Sequence, residues 1–187
     1  VSAWPTPPPY VGPNAAPAAI AWTQVGPDGQ QIARVLAESS CPRLTIDGVA
    51  VAMSLRSGAD AAFPGVVCEA GVPLDAASAA VDGRPLALLP ERIERIAVVG
   101  DTGCRIAADG RFQACNDPTD WPLSRVAAQV AAAQPDLIVH VGDYVYREAP
   151  CPDGEPGCAG SPWGDNAATW QADVFGPLAP ALRAAPW

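Results

Sequence analysis

The chain has 187 residues, 49% of them hydrophobic, enough for a packed core in one domain or two small ones. A formal net charge of −9 leaves no basic patch to neutralise phosphates, which argues against a nucleic-acid partner. No run of about 18 uninterrupted apolar residues exists to span a membrane, and 22 prolines with 17 glycines favour turns over long helices.

The first residue is Val1, without an initiating Met or a basic-then-apolar leader, so a signal peptide is expected to have been removed or to lie upstream. Residues 1–29, opening Pro5-Thr6-Pro7-Pro8-Pro9, have the Pro/Ala/Gly-rich composition of an extended arm. Residues 30–92 read as a small antiparallel β domain with apolar residues at every second position. Asp47-Gly48 and Asp82-Gly83 each separate two such runs, and Asp-Gly suits the two positive-φ positions of a tight hairpin. Nothing in this region looks catalytic.

At Arg95 the texture changes, and residues 93–187 read as the first βαβ part of an α/β sandwich. Ile96-Ala97-Val98-Val99 is a continuous apolar run, as expected of a strand covered on both faces. Asp120 is placed to cap a helix with Pro122 in its first turn. Leu123, Val126, Ala127, Val130 and Ala131 then share one helical face. Pro135 ends the helix and Leu137–Val141 forms a second strand, parallel to the first and adjacent or nearly so. A Pro/Gly/Cys loop follows over 149–164, and then two short helical stretches, 166–175 and 178–184.

Six cysteines allow 15 pairings. Cys41–Cys68, Cys104–Cys115 and Cys151–Cys158 are preferred because each closes a local loop. Without a C-x-x-C pair, and with a single His, a structural zinc site is not expected. Disulfides persist in oxidising space, so the expected location is periplasmic or secreted.

Both strands of the βαβ unit end in Gly-Asp, at Gly100-Asp101 and Gly142-Asp143. One such pair is an ordinary way to end a strand. Two, at the carboxyl ends of consecutive parallel strands, point to function gathered on one rim. Carboxylates held close repel, so one takes a proton or a cation sits between them. Tyr146 stands three residues after Asp143, able to swing its phenol back to the same place. A phenolate near neutral pH requires a strong Lewis acid, such as Fe(III).

The stretch Arg95-Ile-Ala-Val-Val-Gly-Asp-Thr-Gly103 with Gly142-Asp-Tyr-Val-Tyr146 resembles the first two blocks of the calcineurin-like metallophosphoesterase superfamily. Most members carry D-x-H in the first block. Here Gly103 stands at the His position, and D-x-G with G-D-x-x-Y is the pattern of the purple acid phosphatase-like branch. The resemblance covers roughly residues 30–187 and is specific in the two blocks. It implies hydrolysis of a small phosphate ester at two metal ions, Fe(III) plus a divalent Fe, Zn or Mn. Asp101 would bind the first metal, Asp143 would bridge both, and Tyr146 would bind the first. The family's G-N-H-[DE] block and later His ligands are absent, so this chain alone is expected to be inactive. The remaining ligands would come from a C-terminal half of the same enzyme.

Several residues admit other readings. His140 is a candidate neighbour of the metals, but regular strand alternation points it away from Asp143, which favours a core His. Arg105 and Arg147 are candidates to steer a phosphate, or surface charges. The tryptophans read as core or loop anchors, and the Cys151–Cys158 loop as part of the substrate rim. Asp101-Thr102-Gly103 also matches an aspartic-protease signature, but Gly100 and Cys104 depart from that family and no second D-T-G occurs. A phosphoaspartyl transferase would want Asp where Gly103 stands. The serious alternative is an exported, disulfide-stapled, non-enzymatic binding protein whose carboxylate rim holds a cation or nothing.

Overall fold

The computed structural model describes residues 19–187. The first element is strand β1 (Ile20–Val25), followed by a 3₁₀ turn and β2 (Gln31–Ala37). β3 (Leu44–Ile46) and β4 (Val49–Val51) form the first hairpin. After β5 (Ser54–Ser57) and β6 (Val66–Val72), β7 (Ala79–Val81) and β8 (Arg84–Pro85) form the second. Asp47, Gly48, Asp82 and Gly83 all have positive φ, the conformation for which the two Asp-Gly pairs are suited. The strands make two four-stranded antiparallel sheets, β1-β2-β6-β5 and β4-β3-β7-β8. Ala33, Val35, Leu44, Val66, Cys68 and Val81 are among the buried residues of the core they share.

The arm assigned to residues 1–29 is therefore corrected at its end. Ile20–Val25 pairs along β2 from Ile20 opposite Leu36 to Val25 opposite Gln31. Its alternation decides the matter: Ala21 packs against the β core, while Ile20 and Trp22 pack against a second core on the opposite side. The Pro- and Ala-rich residues just upstream mask this period in composition. The rest of the proposed arm, residues 1–18, lies outside the described residues.

The second core belongs to the βαβ unit: β9 (Ile96–Gly100), α1 (Leu123–Ala132) and β10 (Leu137–Val141). β9 and β10 are parallel and directly paired, Ile96 opposite Leu137 and Gly100 opposite Val141. α2 (Ala167–Trp170) continues into a π-helical turn over Gln171–Phe175, and α3 (Ala179–Ala184) follows. Leu123 and Ala127 of α1, Ile138 of β10, and Val174, Leu178 and Leu182 make the buried centre. Pro186 and Trp187 run between the edges of β10 and β1: Ile138 N donates to Pro186 O at 2.8 Å and Trp187 N to Thr23 O at 3.0 Å.

Two details of this unit differ from expectation. Asp120 does not cap α1; its carboxylate accepts from Ala114 N at 2.6 Å, and Pro122 stands at the cap position. The parallel pair is covered on one face only: Ala97 and Val99 pack into the core, whereas Ile96, Val98 and Val141 are 56%, 63% and 51% exposed. A continuous apolar sequence is equally compatible with either arrangement, because periodicity does not mark which face is covered.

All three preferred disulfides are formed. Among the described residues the fold is mixed α/β with antiparallel sheets, one parallel strand pair and few helices. Among the described residues no helix is long and apolar enough to cross a membrane.

Candidate metal centre

The two Gly-Asp strand ends meet because both glycines are sterically required. A Cβ on Gly100 would lie 1.9 Å from the carbonyl oxygen of Val141, so the paired strands close to this distance only with Gly there. The chain then leaves β9 through Asp101 in the left-handed region, φ 50°. Asp tolerates that conformation better than most side chains, and such residues concentrate at functional sites. The turn lays the Asp101 carboxylate over Gly142, itself at φ 88°. A Cβ on Gly142 would stand 2.8 and 2.9 Å from the two carboxylate oxygens.

The residues predicted as ligands come together at this point. Tyr146 donates its hydroxyl to Asp101 Oδ1, and Asp143 N reaches the same oxygen at 3.4 Å. Thr102 N donates to Asp143 O at 3.1 Å, tying one loop to the other. The phenol hydroxyl and, second, the Asp143 N–H hold the Asp101 carboxyl below the usual carboxylate range. In return the hydrogen bond to Asp101, then desolvation, and then Asp143 push the Tyr146 phenol up to about 12. Both carboxylates are exposed to solvent.

The loop geometry also explains the Gly at 103. A Cβ there would meet Tyr144 O at 2.8 Å, Tyr146 N at 2.8 Å and Val145 Cα at 2.9 Å, all backbone atoms. The segment that delivers Tyr146 occupies the space where a side chain at 103 would begin.

The neighbouring candidates divide. Arg105 places its guanidinium 4.2 Å from the centroid of the Tyr146 ring, on the rim. Arg147 does not steer a ligand: it is 4% exposed and its Nε donates to Asp173 Oδ1 at 2.6 Å. His140 falls between its two readings. Its ring is half-buried and stacked on Tyr144 at 3.8 Å, as a core His would be. Yet its Nε2 is 2.9 Å from Thr102 Oγ1, next to Asp101, and burial lowers its pKa despite the opposing field of Asp101. The two Cys loops adjoin: Asn116 Nδ2 donates to Pro156 O and Ala159 O at 3.3 and 3.0 Å, and a Cβ on Gly157 would touch that of Ala114 at 2.8 Å.

Sequence reasoning missed Asp173 and Thr102, whereas Trp121 serves as the loop anchor it was read to be. Asp173 is fully buried in the π-helical turn, and Trp121 Nε1 donates to Thr102 O at 3.0 Å. A lone acid in a short helical stretch carries no sign of burial, so no sequence signal identifies Asp173.

What the rim offers a cation is three oxygen donors, Asp101, Asp143 and Tyr146. They suit a hard ion, and the phenol joins only by losing its proton. Among the described residues no group of three His, Cys, Asp or Glu side chains stands close enough to hold a metal. Compared with protein-family models, curated proteins and solved structures, the chain matches none.

Proposed function

We propose that this chain carries the first half of the dinuclear centre of an exported metallophosphoesterase of the purple acid phosphatase-like kind, hydrolysing small phosphate esters. The observation that carries the reading is the convergence of Asp101, Asp143 and Tyr146 at the carboxyl ends of adjacent parallel strands. Asp101 and Tyr146 would hold Fe(III), and Asp143 would bridge to a divalent Fe, Zn or Mn. Metals held there would supply charge neutralisation and a water of lowered pKa. In this chain Arg105, beside the phenol, is placed to meet a phosphate oxygen.

Three oxygen ligands are too few for two metals, so the reading requires further ligands from a C-terminal half of the enzyme. The bare apolar face of β9 and β10 fits this requirement, since parallel strands are ordinarily covered on both faces as in the sandwich expected of the family. Three disulfides support export to the periplasm or cell exterior.

The test is Fe(III) titration of the chain followed by absorbance. A phenolate-to-Fe(III) charge-transfer band that Tyr146→Phe and Asp101→Asn each abolish is the expected result. Absence of any transition-metal binding, or binding of calcium alone, would favour the non-enzymatic binding protein. Turnover of p-nitrophenyl phosphate by the 187 residues alone would overturn the half-site.

A further inference from the structure

We propose that Asp173 is a positioning residue for the metal rim, one buried carboxylate that holds the loop carrying Asp101 and the loop carrying Tyr146 in register. The inference rests on the metal reading above. Asp173 has 0% exposure and has Arg147, Tyr146 and Cys104, residues of both loops, beside it. Its Oδ1 accepts from Arg147 Nε at 2.6 Å, the residue directly after Tyr146. Burial raises the Asp173 pKa, while Arg147 and then the backbone N–H groups of Cys104 and Tyr146, which lie beside the carboxylate, act in the opposite direction. Among the described residues neither N–H has another backbone acceptor. Oδ2 is buried with no partner in full hydrogen-bond geometry, so the carboxylate is not satisfied by either loop alone.

A second path runs from the same ion pair. The Arg147 guanidinium lies 5.5 Å from the Trp121 ring centroid, and Trp121 Nε1 holds the carbonyl of Thr102, the neighbour of Asp101. Asp173 stands on a π-helical turn closed by Gly176 N to Gln171 O at 2.9 Å, a local widening common at functional sites. As fold glue the pair is a poor choice, because well-packed apolar residues often replace a buried ion pair without loss. What apolar residues lack is a charge that holds the Arg147 guanidinium and attracts the neighbouring N–H groups of both loops.

The experiment uses the full 187-residue chain carrying Asp173→Asn, the double variant Asp173→Leu/Arg147→Met, and the core control Leu182→Ala. Two quantities are read: Fe(III) affinity from the charge-transfer band, and amide hydrogen exchange at Cys104 and Tyr146, which involves no metal. Asp173→Asn and the folded double variant are expected to weaken Fe(III) binding by about 10–100-fold, as for other residues that orient metal ligands. Both should speed exchange at Cys104 and Tyr146 ahead of α1, while Leu182→Ala lowers the melting temperature and leaves affinity unchanged. A folded double variant with wild-type affinity and exchange overturns the proposal. So does a double variant that cannot fold, because the pair is then structural. If the wild-type chain takes up no Fe(III) but exchange responds as expected, the metal reading fails and the positioning role stands.

Discussion

Gly103→Ala tests the geometry of the rim most directly. Gly103 is buried and its φ is not positive, so an added methyl is opposed by space rather than by backbone conformation. The methyl would meet three backbone atoms of residues 144–146 at 2.8–2.9 Å, where no flexible side chain is available to give way. Such overpacking costs about 1–3 kcal/mol. For a chain of this size that lowers the melting temperature by roughly 2–12 °C. The strain is relieved by moving the 144–146 loop outward, which breaks the bond from Tyr146 to Asp101. Gly71→Ala is the control, since nothing lies within 4 Å of its Cβ. Calorimetry gives the melting temperatures, and an ultraviolet titration of the phenols reports the bond. A Gly103→Ala chain as stable as wild type, with Tyr146 still titrating near 12, would refute the close approach.

The same phenol gives a pH prediction. Its folded pKa, about 12, lies above the ordinary 10.0, so its contribution to stability is complete below pH 10 and disappears as pH rises through 12. Asp101→Asn should return the phenol toward its ordinary value and flatten that limb of the stability curve, which alkaline melting curves would show. Replacing each Cys pair by Ser should destabilise in order of loop length: about 3.5, 2.8 and 2.4 kcal/mol for separations of 27, 11 and 7 residues. Denaturant midpoints that reverse the order would show that native contacts outweigh loop entropy. In β9, Val98→Lys should change stability by no more than about 0.5 kcal/mol, as at other surface sites. Val99→Lys, on the covered face, should unfold the βαβ unit; equal effects in urea melts would contradict one-sided burial.

Much of the fold was legible because its signals are local. Asp47-Gly48 and Asp82-Gly83 state their own backbone geometry, and the helical face of 123–131 states its period. Each cysteine pair lies within 27 residues. What was not legible depends on contacts distant in sequence. Trp22 joins the second core only because Phe175 and the 178–185 segment fold back to it. Arg147 reads as a surface charge until Asp173, 26 residues away, is brought beside it. For the rim, residue types named Asp101, Asp143 and Tyr146, whereas the inward partner of Arg147 is set only by the tertiary fold.

The rim also shows how an acidic chain tolerates two carboxylates at one edge. Asp101 is stabilised as an anion by a phenol hydroxyl and a backbone N–H, both neutral donors, and Arg105 lies on the far side of the same phenol ring. No cationic side chain forms an ion pair with either acid among the described residues. The proton of Tyr146 therefore lies directly against the Asp101 carboxylate. The two strand ends meet at the expense of a left-handed Asp101, whose carboxylate lies over Gly142, and of two glycines that admit no side chain. On the metal reading proposed above, a positive ion bound there would displace the phenolic proton, and a net charge of −9 would favour its approach.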